Sequence, residues 1–240
     1  MINNMRNKQT LDYYNSIYKP ANKNFNLQKY KNLVLKEHSD ILNKNKKILD
    51  VGCGAGFLLN ALECEDYKNL TGVELDKNQY LEAKKHLKFS KLFNQDCIEF
   101  LNKTEERYDI IFLYDLLEHI PKEKIIRLLK LIYKSLNNKG VLVIKTPNAD
   151  SPYFASRMRY GDFTHETSFN KESVETVLRE AGFSNIICKS TKFPFSLKSL
   201  GVYPIRLLGN IILRIYMISY IGLEALNIIL TPNFIIIAKK

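Results

Sequence analysis

The sequence has few of the features that stabilise small secreted domains. Its 240 residues contain four cysteines, none of them in a Cys-x-x-Cys pair. A disulfide scaffold and a zinc ribbon are therefore disfavoured, and we expect a reducing, cytoplasmic location. Because the first residues are polar, we expect no signal peptide. The longest apolar region, 205–230, is interrupted by Arg206, Arg214 and Glu224, which makes it a poor transmembrane span.

The composition indicates one folded domain. Hydrophobic residues make up 45% of the chain, and its ten glycines and seven prolines form no repeat. Wholesale disorder and collagen-like structure are therefore excluded. The length suits a single domain, 1–240, with an N-terminal helical cap (1–46), a core (47–147), a long loop (148–169) and a helical insert (194–231).

Positive charge is concentrated at both ends of the chain. The net charge is +11, of which residues 1–50 carry +6, residues 51–150 carry none and residues 151–240 carry +5. This distribution favours an anionic partner, such as a phosphorylated small molecule, a lipid surface or a nucleic acid. Biased codon composition is the alternative explanation. The lysines do not cluster with aromatic residues, so we expect no specific nucleic acid.

Short apolar runs alternate with helical patterns in the first two thirds of the chain. Strands are predicted at 47–51, 69–74, 91–94, 108–113 and 140–144, and helices at 57–63, 77–88 and 98–101. A further helix follows Pro121, since one helical face collects Ile125, Leu128, Leu129, Ile132 and Leu136. This alternation indicates crossover units and a mostly parallel sheet.

The last third is less regular. A long loop, 148–169, precedes a predicted helix around 174–181, and two further strands are expected at 185–188 and 234–237. A loop of that length is usually functional or disordered. The basic, apolar insert 194–231 separates the two strands.

The most distinctive motif is the glycine-rich stretch Asp50-Val-Gly-Cys-Gly-Ala-Gly56, which ends the first predicted strand. Glycines at this place allow a ligand to approach the backbone, and the next helix presents its N-terminus. Glu74, at the end of the second strand, can accept hydrogen bonds from both hydroxyls of a ribose, and Asp96 can accept one from an adenine amino group. A dinucleotide fingerprint would need glycine at position 57, which is Phe57.

Seven motifs in order resemble the class I S-adenosylmethionine-dependent methyltransferases. They begin at Leu49, Gly72, Asn94, Tyr108, Asp115, Asn138 and Thr146, and they read LDVGCGAG, GVE, NQD, YDII, DLLEHIP, NKG and TPN. The resemblance implies an α/β, Rossmann-like, doubly wound sheet of seven strands in the order 3-2-1-4-5-7-6, with strand 7 antiparallel. It also implies S-adenosyl-L-methionine as the cofactor.

The same resemblance assigns cofactor-binding residues by position. Asp50, Gly52, Gly54 and Gly56 would hold the methionine part, with Cys53 in the same loop. Glu74 would bind the ribose, and Leu75 follows it. Asp96 and Cys97 would meet the adenine edge, and Leu113 and Tyr114 would flank the sulfonium.

A second polar cluster follows the fourth strand, where Asp115, Glu118 and His119 stand at a strand-to-helix turn. Methyl transfer to an oxygen can need a base or a metal to remove the acceptor's proton. The spacing resembles quinone-type O-methyltransferases, in which such acids and this His hold a divalent cation. Related methyltransferases carry the Glu-His-Ile-Pro motif without a metal, so a structural role for His119 remains the alternative. We expect no metal.

His165 and Asp162 lie in the long loop, where this fold builds its acceptor pocket. The stretch Gly161-Asp-Phe-Thr-His-Glu166 resembles methyltransferases encoded with bacterial surface-polysaccharide genes. We expect the catalytic residues to be His165, His119 and Asp162, with His165 as the base. The alternative is that His165 and Asp162 only hold the loop in place.

Three functions fit these observations. The leading hypothesis is methylation of a small-molecule oxygen, on a sugar, a nucleotide-sugar or another glycan precursor, in which case the acceptor can be phosphorylated or otherwise anionic. The alternative is O-methylation of a quinone or lipid precursor, and a non-catalytic RNA- or membrane-binding module is third. The insert 194–231 is expected to form a lid or a core helix, with peripheral contact to the inner face of the membrane as the second interpretation.

Overall fold

A computed structural model describes residues 27–152, 154–192 and 201–240. Its strands form one seven-stranded sheet in the order β3-β2-β1-β4-β5-β7-β6. Pairing is parallel except at β7, which runs antiparallel to both of its neighbours. This is the order and the strand direction predicted from the sequence, and the fold class is confirmed. The strands are β1 Ile48–Val51, β2 Leu70–Glu74, β3 Lys91–Asn94, β4 Tyr108–Tyr114, β5 Leu136–Pro147, β6 Ser184–Ser190 and β7 Asn233–Lys239.

Helices connect the strands, together with two short 3₁₀ turns. The turns are Leu117–His119, after β4, and Gly222–Asn227, before β7. The helices are α1 Leu27–Glu37, α2 Phe57–Glu63, α3 Lys77–His86, α4 Cys97–Lys103, α5 Lys122–Ser135, α6 Ala155–Gly161, α7 Lys171–Glu180 and α8 Tyr203–Ile221.

The sheet has a hydrophobic core on each face, and β4 shows how the chain supplies both. Ile111 and Leu113 pack with α5 and α7, whereas the alternate residues Ile110 and Phe112 pack with α1 and α2. Successive side chains of a strand point to opposite faces. A parallel strand that is buried on both faces therefore reads as a continuous apolar run, which is the pattern seen in the sequence.

Side-chain caps begin several helices close to the carboxyl ends of the strands. Asp76 accepts a hydrogen bond from the Gln79 backbone at the start of α3, and Asp96 accepts bonds from the backbones of Ile98 and Glu99 at the start of α4. A capped N-terminus satisfies backbone N–H groups that have no partner within the helix. These caps fix where α3 and α4 begin after β2 and β3.

Three regions differ from the sequence-based expectations. The long loop contains α6, a short helix, and β5 begins at Leu136 instead of Gly140. The expected N-terminal helical cap is represented by α1, and its part before residue 27 lies outside the described residues. The insert forms α8, none of whose residues is buried, so its interpretation as a core helix is wrong. By length and composition alone, Tyr203–Asn227 could cross a membrane.

Candidate active site

The order of the strands reverses between β1 and β4, and the carboxyl ends of both open at one edge of the sheet. In open α/β sheets, ligands bind in the crevice at this reversal point. Asp50 lies near the end of β1, Glu74 ends β2 and Tyr114 ends β4. Three of the predicted site residues are thus brought to one crevice.

The glycine-rich loop after β1 places three glycines at positive φ, and they differ in what surrounds them. A Cβ on Gly52 would come within 2.8 Å of Leu116, and one on Gly56 within 2.7 Å of Leu87. Both glycines therefore face the protein's own side chains, and their positive φ also favours glycine. A Cβ on Gly54 (φ 54°) would come no closer than 4.0 Å to any atom outside the loop. The space next to Gly54 is open, as a ligand cradle requires.

Glu74 reaches back to this loop. Its two carboxylate oxygens accept hydrogen bonds from the backbone N–H groups of Gly54 (2.8 Å) and Asp76 (2.7 Å). A carboxylate has about four lone-pair positions, so each oxygen keeps capacity for another donor. Burial raises the pKa of Glu74, and the two backbone hydrogen bonds oppose this rise.

Asp50 is buried at the centre of the crevice. Burial, followed by the charge of Glu74, raises the pKa of Asp50 to about 8. Two converging buried acids disfavour each other's ionisation, and a cationic ligand relieves that repulsion. S-adenosylmethionine carries a positive sulfonium and an ammonium group, so the two acidic side chains and the open space at Gly54 both fit this cofactor.

The other residues that were predicted to bind the cofactor have contacts within the protein or are partly exposed. Asp96 caps α4, and Cys97 packs beside the core, partly buried. The side chains of Cys53 and Leu113 belong to the hydrophobic core, so only their backbones are available to a ligand. Leu75 is half exposed next to Glu74. The sequence motif does not distinguish a side chain from its backbone, and the assignment of these residues to the cofactor stays a prediction.

Tyr114 is held by His38, a histidine that no sequence motif indicates. His38, which follows α1 and is fully buried, forms a hydrogen bond through Nε2 to the Tyr114 hydroxyl. Burial lowers the pKa of His38 to about 4, so its ring is neutral at physiological pH. Tyr30 of α1 is also near, since the charges of Asp50 and Asp115, after burial, raise the pKa of Tyr30. Helix α1 therefore forms one wall of the crevice.

A second cavity of about 740 Å³ lies where the first 3₁₀ turn meets α6. The residues of its wall are Asp115, Glu118, His119, Pro147, Ser156, Arg157, Met158, Tyr160, Gly161, Asp162, His165 and Asn233. All three predicted catalytic residues, His119, Asp162 and His165, are among them. They come from segments 43 residues apart in sequence, and the fold joins them through hydrogen bonds from the backbones of Glu166 and Thr167 to the Glu118 carbonyl.

Asp162, Thr164 and His119 form a chain of hydrogen bonds in this cavity. The Thr164 hydroxyl donates to Asp162 Oδ1 (2.6 Å) and lies 2.9 Å from His119 Nδ1. Burial raises the pKa of Asp162, but the hydrogen bonds from Thr164 outweigh it and leave that pKa below its usual value. Because the single hydroxyl proton goes to the carboxylate, His119 Nδ1 must be the donor to Thr164. The lone pair of the His119 ring is thereby placed on Nε2.

The two histidines of the cavity are in contact. The ring centroids of His119 and His165 lie 4.6 Å apart in an edge arrangement. Burial, followed by the charge of His165, lowers the pKa of His119 to about 4. His165 Nδ1 lies 2.6 Å from the Met158 carbonyl, and since a carbonyl only accepts, Nδ1 is the donor. In the neutral form, each ring therefore carries its lone pair on Nε2.

Glu118 completes a group that could hold a metal ion. One ligand atom from each of Glu118, His119 and His165 lies within 4.8 Å of the others. Burial, followed by the charge of Asp115, raises the pKa of Glu118 to about 8, and Thr146 donates to its Oε2 at 2.9 Å. Asp115 is not part of this group, because its carboxylate is paired with Lys145 at 2.6 Å. The expected acid pair is thus replaced by one acid and two histidines.

Comparisons with known proteins agree with this geometry. The family model described as "Methyltransferase domain" matches residues 25–187, which is more than half of the chain. The chain belongs to the methyltransferase domain family. It is an enzyme of the class that uses S-adenosylmethionine, and the cofactor predicted from the sequence is confirmed.

Two relatives of this methyltransferase are ubiquinone biosynthesis O-methyltransferases. That of Coxiella burnetii is 37% identical over 108 residues, which are 44% of this chain and 45% of the relative. The mitochondrial enzyme of Saccharomyces cerevisiae is 33% identical over 111 residues, 43% of this chain and 34% of the relative. The chain thus spans less than half the length of these relatives. They support the quinone-precursor alternative rather than the glycan-precursor hypothesis.

A solved structure extends the similarity of the methyltransferase fold to nearly the whole chain. The SAM-dependent methyltransferase from Archaeoglobus fulgidus superposes with a TM-score of 0.66, covering 90% of this chain and 95% of that one at 22% identity. At this identity the likeness concerns the fold.

Proposed function

We propose that the protein methylates a hydroxyl oxygen of a small phenolic molecule of the quinone-precursor kind, bound in the cavity between the first 3₁₀ turn and α6. The observation that carries this proposal is the Asp162–Thr164–His119 chain, which presents a neutral imidazole to that cavity. The names of the relatives support the acceptor class.

The cofactor supplies a methyl group that its sulfonium already activates, so the protein's main task is positioning. Asp50 and Glu74 would attract the cationic cofactor, and Glu74 would also accept bonds from the ribose hydroxyls. Gly54 would leave room for the cofactor beside the backbone. Asp96 and Cys97 would border the adenine, and Tyr114, held by His38, would border the methyl-transfer region.

His119 Nε2 would take the acceptor's proton while the methyl group is transferred. As the proton arrives, Nδ1–H remains hydrogen-bonded to Thr164, and the Asp162 carboxylate stabilises the positive charge through that hydroxyl. His165, in ring contact with His119, would orient the acceptor or serve as the base in its place. The sequence-based preference for His165 stays a prediction.

The strength of this base favours a phenol over a sugar. A phenol has a pKa of about 10, some six units above that of His119, and each unit costs about 1.36 kcal/mol. An aliphatic hydroxyl, with a pKa near that of water at about 15.7, raises the gap to roughly twelve units, or about 16 kcal/mol. Proton transfer during methyl transfer avoids part of either gap, but the gap for the phenol is about half as large, so the phenol suits a weak base better.

A divalent cation held by Glu118, His119 and His165 is a second route to an ionised acceptor, because a cation lowers the pKa of a bound hydroxyl. The three donors fit a transition metal. In that arrangement Glu118 would have to be ionised, against the burial that raises its pKa.

The decisive test is the formation of S-adenosylhomocysteine with a catechol, compared with monosaccharides and nucleotide-sugars as acceptors. We expect turnover on the catechol, and turnover confined to the sugars would overturn the acceptor class. Repeating the assay after removal of divalent cations separates the two routes. Loss of activity that is restored by added metal would assign the metal route.

A further inference from the structure

The insert between β6 and β7 exposes an apolar surface that the described residues do not cover. No residue of α8 is buried. Ten of its apolar side chains are exposed, from 47% at Ile221 to 74% at Tyr220. A helix that is apolar over most of its surface is normally buried in a protein core or in lipid.

Three polar residues of α8 form one stripe, and Ser219 lies outside it. Arg206, Asn210 and Arg214 recur every four residues and therefore lie on the same side of the helix. The Arg214 guanidinium donates hydrogen bonds to the carbonyls of Ala225 and Ile228, which follow the helix. Since Ala225 is fully buried, the helix faces the protein on this side at Arg214, whereas Arg206 and Asn210 stay exposed. The broad apolar side is turned away from it.

We propose that α8 docks the protein on an anionic lipid bilayer, lying in the plane of the interface with its apolar side in the acyl region. A protein partner would cover one face of a helix, whereas the acyl region accommodates an apolar surface of this width. The net charge of +5 on residues 151–240 is complementary to anionic lipid headgroups.

The connections of α8 favour lying on the bilayer over crossing it. The chain leaves the sheet after β6 and returns at β7, its antiparallel neighbour, so both ends of the insert meet the same sheet edge. Nineteen residues rise about 28 Å, close to the thickness of the hydrocarbon core. A crossing helix would therefore leave one end on the far side, away from the sheet to which it must return.

Docking through α8 would also hold the acceptor cavity near the bilayer. After the second 3₁₀ turn, the carbonyls of Ile229 and Thr231 accept hydrogen bonds from the Asn148 side chain, and the Leu230 carbonyl accepts one from Ser151. These two residues lead into α6, which lines the cavity. The helix and the cavity wall are therefore joined by a short, hydrogen-bonded segment.

Sedimentation of the full chain with phosphatidylglycerol–phosphatidylcholine vesicles at about 0.15 M salt tests this proposal. The test variant is Leu208→Glu with Ile215→Glu, which places two charges on the apolar side of α8. The matched control is Ile126→Glu with Ile187→Glu, which adds the same charge at exposed apolar positions of α5 and β6. We expect vesicle affinity to fall at least tenfold in the test variant and to stay within threefold of wild type in the control.

Three results would overturn the proposal. The first is that the wild-type chain fails to bind the vesicles, and the second is that both variants bind them equally. The third is that the test variant melts several degrees below the control or loses a self-association of the wild type. That result would show that another part of the chain or a second copy covers α8. Methylation of a water-soluble catechol should be unchanged in both variants. The outcome for docking is therefore separate from the outcome for the proposed function.

Discussion

The cofactor crevice and the acceptor cavity are built by different means. On the cofactor side, the site residues lie in or directly after consecutive strands, and two glycines lie against Leu116 and Leu87. On the acceptor side, the wall combines the 3₁₀ turn, the end of β5, α6 and the first residue of β7, Asn233. The first side is determined by strand order, and the second by contacts between segments that are distant in sequence.

This difference corresponds to the difference between a cofactor shared by many enzymes and an acceptor that is specific to one enzyme. A cofactor that is common to many enzymes can be held by strand ends, whose positions follow from the sheet. An acceptor that differs from one enzyme to the next is better served by loops and inserted segments, which can change without disturbing the sheet. We therefore expect substitutions on the cofactor side to alter binding, and those on the acceptor side to alter turnover.

The largest effect is expected from His119→Ala. Loss of a general base lowers turnover by about 10²–10⁴-fold, while the dissociation constant for S-adenosylmethionine should stay within threefold. Because the folded pKa of His119 is about 4, the imidazole is neutral above that pH. Wild-type turnover should therefore persist through pH 6 and decline only towards pH 4.

Steady-state kinetics across pH 4–9 measure both effects of the His119 substitution. The matched control is His86→Ala, at the end of α3 and outside the cavity lining. If His165→Ala is severe and His119→Ala is mild, the base is His165. If both stay within threefold of wild type, positioning alone suffices.

Gly54→Val is expected to weaken cofactor binding by about a hundredfold or more. The added side chain would occupy the open space beside the loop, and a β-branched residue disfavours positive φ. Gly222→Val controls for the backbone strain, because Gly222 also has positive φ and an open surrounding but lies far along the chain. Calorimetric titration of both variants should show loss of binding in the first alone, and equal binding would place the cofactor elsewhere.

Glu74→Ala should reduce cofactor affinity by roughly tenfold to a hundredfold, since a hydrogen bond to a charged group contributes about 1.5–3 kcal/mol. The structure adds a second reason, because Glu74 also holds the Gly54 backbone. Glu74→Gln keeps one acceptor oxygen and should lie between wild type and Glu74→Ala. A change below threefold in Glu74→Ala would remove the ribose assignment.

The difference between the cofactor side and the acceptor side also explains which parts of the site could be predicted from the sequence. Asp50, Gly54 and Glu74 follow buried apolar strands, and parallel pairing brings strand ends together, so their proximity follows from the sheet order. The partners of Glu118 and His119 could not be predicted, since Thr146 and Thr164 are ordinary residues whose contacts depend on how α6 folds back. The spacing of Asp162 and Thr164 was the one local signal, as an Asp often accepts a hydrogen bond from the backbone two residues on.

The group that could hold a metal ion shows the same limit of prediction from sequence. Spacing suggested that Asp115 and Glu118 act as an acid pair, but Asp115 has positive φ and pairs with Lys145 of the adjacent strand. Its carboxylate is thereby separated from the group of Glu118 and the two histidines. A turn in an uncommon backbone conformation changes the direction of a side chain, and residue spacing alone does not reveal that conformation.

The smallest effect, and the one most specific to the acceptor side, is expected from Thr164→Val. Valine keeps the shape of threonine but removes the hydroxyl that joins His119 Nδ1 to Asp162. The ring can then adopt either tautomer, and the imidazolium loses its hydrogen-bonded link to the Asp162 carboxylate, so we expect kcat to fall about tenfold. Thr164→Ser restores the hydroxyl and should restore kcat, whereas KM and cofactor affinity should change less than threefold in both variants. If serine does not rescue kcat, or if KM changes instead, Thr164 acts on the packing of the loop, and the base on the acceptor side is oriented by other contacts.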